Sequence, residues 1–244
     1  MSERKLHQSQ RRAPGAPLPK PIHAATALIV RRTPSGPTVL MGHRSAAHKF
    51  MPNTFVFPGG RVDPEDHLAP AADALAPETV QRLTRRRRAS VRLARALALA
   101  AIRETFEETG LIIGQPHADA LDLDAVTPDW RPFVETGFAP TPGALDYIFR
   151  AVTPPDNFRR FDARFFLVDA DATHGVIGGT GELVDLQWIP IRDAMQLPRT
   201  PSPTRGALAT ALELVTTGAR LPQAADAPIP ALITRYRREA IEYD

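Results

Sequence analysis

The stretch Ala100-Ala-Ile-Arg-Glu-Thr-Phe-Glu-Glu-Thr-Gly110 decides how the rest of the chain is read. Its three carboxylates, Glu104, Glu107 and Glu108, fall at i, i+3 and i+4, a spacing that gathers them on one helical face. Ile102 and Phe106, four apart, form a separate apolar edge, and Gly110 offers the left-handed position that commonly ends a helix. Like charges at this spacing oppose each other by about 0.2–0.5 kcal/mol, and Arg103 is the one cation in the stretch. A hard divalent metal would complete such a cluster. A solvated acidic turn is the plain alternative.

Working toward the N-terminus, Ser90 is a candidate cap for a helix running from Val91 to Thr109, with Leu93, Leu97 and Ala101 as its core-facing stripe. Asp63 to Ser90 is rich in Ala and Pro and predicts a short helix from Pro77 that ends in Arg85-Arg-Arg-Arg88. Phe55-Val-Phe57 reads as a strand stopped by Pro58-Gly59-Gly60, where two glycines allow a sharp turn and close approach of the backbone. Ile22–Val30 and Thr38–Met41 read as a hairpin around Thr33-Pro-Ser-Gly-Pro37.

Toward the C-terminus, Leu111–Ile113 predicts a short strand and Asp119–Glu135 a helix interrupted at Pro128. Tyr147–Val152, Arg164–Val168 and Glu182–Ile189 predict strands, the last carrying Trp188 and following the loop Gly178–Gly181. Gly206–Thr217 and Pro230–Tyr243 predict two C-terminal helices. Residues 1–20 form a basic tail, and residues 21–244 one domain with a mixed sheet and helices packed on it.

The 244-residue chain is 43% hydrophobic and 23% charged, an ordinary globular composition, with a formal charge of only +3. It has no cysteine, which excludes disulfides, Cys-based zinc sites and thiol catalysis. No apolar run is long enough for a membrane helix, and the N-terminus lacks the apolar core of a secretory signal. The expected location is the cytoplasm.

Taken together, the glycine turn and the acidic helix resemble the Nudix hydrolases. That family's signature is Gly, five residues, Glu, seven residues, then Arg-Glu-U-x-Glu-Glu-x-Gly-U, with U a bulky apolar residue. Gly60 matches the first glycine, and Arg103, Glu104, Glu107, Glu108, Gly110 and Leu111 match the helical half. Thr105 stands where an apolar residue is expected. Arg103 lies 43 positions beyond Gly60 rather than fourteen, so 29 residues interrupt the signature. Asp66 is in register for the first signature glutamate and Glu65 is one short; the sequence does not choose between them. The interruption, with Arg160-Phe-Asp-Ala-Arg-Phe-Phe166, resembles the coenzyme A diphosphatase branch, although the C-terminal Glu242-Tyr-Asp244 is not that branch's peroxisomal address.

The resemblance implies a Nudix-type α/β/α sandwich (an α+β fold) with a helical insertion at 63–90 and extra C-terminal helices. It implies a Mg²⁺- or Mn²⁺-dependent hydrolase of a diphosphate linkage in a nucleotide, with coenzyme A or an acyl derivative as the first substrate. ADP-ribose or NAD, and a non-catalytic nucleotide- or RNA-binding module, are the rivals. Glu104, Glu107, Glu108 and the Gly60 carbonyl are the expected metal ligands. Glu104 is also the group expected to orient the attacking water, and Arg103 to hold a helix glutamate. Glu182 is a candidate distal carboxylate, and Arg61 and Arg44 are candidate phosphate contacts. His43 and His48 read as loop residues, and Trp188 as core. The arginine run lacks interleaved aromatics and reads as a solvated helical face rather than a nucleic-acid surface. Oligomeric state is left open, a homodimer being one alternative.

Overall fold

A computed structural model describes residues 18–44, 54–117, 123–157, 159–178, 181–235 and 238–243. The basic tail up to residue 17 and His48 lie outside the described residues. In chain order the strands are β1 (Ile22–Thr33), β2 (Gly36–Arg44), β3 (Phe55–Val56), β4 (Gly59–Arg61), β5 (Ile112–Pro116), β6 (Phe138–Pro140), β7 (Asp146–Val152), β8 (Phe161–Asp169), β9 (Thr173–His174), β10 (Leu183–Pro190), β11 (Pro230–Arg235) and β12 (Arg238–Tyr243). The helices are α1 (Pro77–Thr84), α2 (Val91–Thr109), α3 (Arg131–Val134), α4 (Ile191–Ala194) and α5 (Ser202–Thr216).

The main sheet runs β10-β2-β1-β8-β7-β11-β12, with β3 added to β2 and β4 to β1. It is mixed: β1 with β8 and β7 with β11 are parallel, and the other pairs are antiparallel. Strand β1 is buried on both faces. Ala25, Ala27 and Ile29 join one core, while Leu28 and Val30 join the other, as the two-residue period of a strand requires. Helix α2 covers the first face through the fully buried Ala94, Leu97, Ala98 and Ala101; α4 and α5 cover the second through Ile191, Ala207, Leu208 and Ala211. Small side chains on both β1 and α2 allow the long helix to lie close to the sheet. The result is an α/β/α sandwich with a second, small sheet β6-β5-β9 beside it.

Helix α2 keeps both of its expected ends. The Ser90 hydroxyl accepts from the Leu93 amide at 3.1 Å, and Gly110 closes it with φ +73°. Thr105, at the apolar signature position, is fully buried and donates its hydroxyl to the Ala101 carbonyl at 2.7 Å. Its polar group is thereby satisfied within the helix and its methyl is left for packing.

Three expectations are corrected. Pro230–Tyr243 is not a helix but the antiparallel hairpin β11–β12. The edge of β7 presents unpaired backbone groups, and β11 satisfies them by parallel pairing of Ala231 with Arg150 and Leu232 with Ala151. In the described part of 119–135, the one α-helix is the four-residue α3, preceded by a 3₁₀ turn at Pro128–Trp130. The arginine run is a 3₁₀ turn whose Arg86 has φ +55°. Arg85 donates to the carbonyls of Ala225 and Ala227, so the run is not a uniform solvated face. Upstream of it, Arg82 on α1 is buried and donates to Asp146 on β7 at 2.7 Å. Segment 63–90 is therefore tied to the sheet.

Candidate active site

The acidic turn of α2 meets the glycine turn of β4. Pairing of Gly59, Gly60 and Arg61 with Thr26, Ala25 and Ala24 of β1 sets the glycine turn's position. A Cβ on Gly59 would fall 2.7 Å from the Thr26 Cα, and one on Gly60 would overlap the Glu104 carboxylate. Both positions therefore exclude side chains, for backbone proximity at the first and for the glutamate at the second. The Gly59 amide donates to Glu108 at 2.8 Å. The strand end and the helix are thus joined at Glu104 and Glu108.

Arg103 organises the other side of the turn. Its Nη1 donates to Glu104 at 3.0 Å and to Glu107 at 3.2 Å. Its Nε and Nη2 donate to the two carboxylate oxygens of Asp66 at 2.9 and 3.2 Å, and Nη2 also reaches the Arg61 carbonyl at 3.1 Å. Asp66 is 0% exposed and accepts further bonds from the Asp63 amide at 2.8 Å and the Trp130 indole at 3.2 Å. Glu65 instead accepts from the Asp129 amide. Of the two acidic residues in or near register with Gly60, Asp66 is the one that pairs with Arg103. Its one available signal was register with Gly60. Trp130 gave none.

The electrostatics follow from one guanidinium among several buried carboxylates. Burial pushes the Glu104 carboxyl up to about 7, with Arg103 opposing and Glu107 adding to the rise. Burial likewise lifts Glu108 to about 8, against the bond from Gly59 and with help from the Glu104 charge. Glu107 is also raised, chiefly by burial. Burial alone would lower Arg103, but the bond to Asp66 and the charges of Glu104, Asp66 and Glu107 outweigh it and raise it. The cluster is short of positive charge. Among the described residues no group of three His, Asp or Glu side chains converges into a ready cation cage; Arg103 holds Glu104 and Glu107, and Gly59 holds Glu108. The donors present are all hard oxygens, the set that suits Mg²⁺ or Mn²⁺.

The remaining candidates are spread around this turn. The charges of Arg44, at the end of β2, and of exposed Glu182, just before β10, both act on Glu108. Arg61 is 67% exposed and pairs with Asp63 at 2.8 Å. His43 packs edge-on against Phe55 with centroids 5.2 Å apart. Trp188 packs against the α2-side core, and the Arg31 guanidinium lies 3.9 Å over its ring. An open cleft of about 550 Å³ lined by Gln81, Arg85, Arg86, Asp226 and Tyr243 shares no residue with the acidic turn.

The fold is similar to the crystal structure of a NUDIX hydrolase from Alicyclobacillus acidocaldarius, with a TM-score of 0.58 and 26% identity, the match covering 81% of this chain and 93% of that one. The chain has the Nudix hydrolase fold. A Caenorhabditis elegans protein whose name assigns it to the nudix hydrolases is 28% identical over 166 residues, 64% of this chain and 48% of that protein. The chain thus spans about half the length of this curated relative. No family model matches the chain. The chain is thus similar to Nudix hydrolases in both sequence and structure. Among the described residues no helix is long and apolar enough to cross a membrane.

Proposed function

We propose that the protein is a metal-dependent hydrolase that cleaves the diphosphate linkage of a nucleoside diphosphate joined to another moiety. The observation that carries this reading is the convergence of Glu104 and Glu108 on the Gly59–Gly60 turn, with Arg103 and Asp66 fixing the helix side. Glu104, Glu107, Glu108 and the Gly60 carbonyl are the groups assigned to hold Mg²⁺ or Mn²⁺. When bound, the ion supplies positive charge to the phosphate oxygens and lowers the pKa of water.

The chain's own residues supply the rest. Glu104, with a carboxyl near neutrality, suits a group that orients or deprotonates the attacking water. Arg103 holds Glu104 and Glu107 against rotation. Glu182 is a second, distal carboxylate. Arg61 and Arg44 are assigned to the substrate phosphates, for which a guanidinium offers paired donors. Asp63 already pairs with Arg61, so a bound phosphate competes with that exposed ion pair.

The first substrate to test is coenzyme A or an acyl derivative, which hydrolysis would divide into a phosphopantetheine and an adenosine bisphosphate. Its support is the resemblance carried by the interrupted box and by Arg160–Phe166. The experiment incubates the purified protein and Mg²⁺ or Mn²⁺ with coenzyme A, ADP-ribose, NAD, diadenosine polyphosphates and capped RNA. Preferential cleavage of ADP-ribose or NAD would move the assignment to a dinucleotide pyrophosphatase. If nothing is cleaved, or Glu107→Gln cleaves as well as the wild type, the hydrolase reading fails. Salt-dependent RNA binding lost on replacing Arg85–Arg88 by Ala, without hydrolysis, would make the protein a binding module.

A further inference from the structure

We propose that Trp130, outside the Nudix box, is a positioning residue for its acidic turn, acting through Asp66 and Arg103. The inference rests on the metal-site reading above and adds to it a determinant that no part of the signature contains.

A buried tryptophan usually directs its N–H at some acceptor. Here the acceptor is Asp66 Oδ1, which also receives Arg103 Nε, at 3.2 and 2.9 Å respectively. The other oxygen, Oδ2, receives the Asp63 amide and Arg103 Nη2. Four donors around one fully buried carboxylate leave it no freedom to turn. Arg103 grips that carboxylate with one edge and presents Nη1 to Glu104 and Glu107 with the other. The orientation of two acidic side chains therefore depends on a carboxylate oriented in part by Trp130.

The segment around Trp130 is built as a brace. The neighbouring Asp129 amide donates to Glu65 at 3.0 Å, docking the segment a second time on the Pro64–His67 turn. On its other side the indole packs edge-on against Phe133, with centroids 5.5 Å apart, and Phe133 packs edge-on against Phe106 of α2 at 5.3 Å. The 128–134 segment thus touches both halves of the interrupted box, one by hydrogen bonds and the other by aromatic packing. The packing contribution is separable from the N–H contribution by mutation.

The test measures Mn²⁺ binding to the full chain by electron paramagnetic resonance, together with the Mn²⁺ concentration for half-maximal hydrolysis. Trp130→Phe keeps an aromatic ring but removes the donor, and should weaken Mn²⁺ binding about three- to tenfold, less than loss of a group bonded directly to a ligand. The substrate KM at saturating Mn²⁺ should move less than twofold. Phe133→Leu removes the aromatic packing but leaves the indole bond, so it should lower thermal stability while Mn²⁺ affinity stays within twofold. If Trp130→Phe fails to fold, Trp188→Phe leaves Trp130 as the sole tryptophan, and its emission should change as Mg²⁺ saturates the protein. A Trp130→Phe protein that binds Mn²⁺ like the wild type, or a Trp130 emission indifferent to Mg²⁺, overturns the inference alone. Wild-type protein that binds no Mn²⁺ overturns the metal site and this inference with it.

Discussion

Two charged clusters lie on the α2 side of the same sheet, and they are built with opposite stoichiometry. Near the start of β8, Asp162 accepts from Arg150 at 2.8 and 3.0 Å and pairs with Arg164 at 2.8 Å. At the acidic turn, Arg103 serves Asp66, Glu104 and Glu107. Burial would raise Asp162, but bonds and charge from the two arginines hold it below the usual carboxylate range. In the acidic turn burial wins, and Glu104 and Glu108 rise to about 7 and 8. A carboxylate with surplus guanidinium is a finished anchor. Carboxylates sharing one guanidinium form a cluster with capacity for another cation.

Variants of the two clusters should therefore fail in different ways. Asp162→Ala removes the carboxylate shared by two buried guanidiniums, and should cost about 3–5 kcal/mol in chemical denaturation. An effect below about 1 kcal/mol would remove the anchor from the comparison. Gly60→Ala displaces the Glu104 carboxylate and should weaken Mn²⁺ binding and hydrolysis by about 10–100-fold, with helical circular dichroism unchanged. Retained Mn²⁺ affinity would separate Gly60 and Glu104 from the ion.

The clusters should also answer pH with opposite signs. Asp162 has a depressed folded pKa, so its contribution is present above the ordinary carboxylate range and is lost as pH falls. Glu104 and Glu108 have raised folded pKa values, so in metal-free protein their native states hold protons that the unfolded chain has released. Stability contributed there falls as pH rises from about 4.5 toward 7 and 8. Mg²⁺ should offset that loss, raising the melting temperature more near about pH 8.5 than near about pH 6. Thermal scans with and without Mg²⁺ at both pH values check the sign. The smallest stability effect is expected at Arg61, whose exposed pair with Asp63 should contribute below about 1 kcal/mol. Arg61→Ala should leave the melting temperature nearly unchanged while raising substrate KM, if its guanidinium takes phosphate.

What could be read from the sequence was what is local. Ser90, Gly110 and the glutamate spacing define α2 within a few turns of chain, and the helix ends where they place it. Asp66 was visible only as a register position, because its choice over Glu65 depends on which carboxylate is buried against Arg103. Trp130 was hidden because its partner lies 64 positions away. The C-terminal hairpin replaces the helix expected over Pro230–Tyr243 because the edge it completes, on β7, is remote in sequence. The arginine run is equally illegible from its own neighbourhood, its Arg85 acceptors being contributed by residues far downstream.

The bond from Arg103 to Asp66 spans 37 positions, which has a consequence for assembly. Helix α2 can nucleate from its own caps within the span 90–110. Its acidic turn acquires a defined shape only when the intervening loop closes and brings Asp66 back, a step whose entropic cost local helix formation does not share. A peptide covering residues 90–110 should contain all three glutamates and some helix, yet have no ordered site. During folding, competence to bind the ion should appear after the helix does.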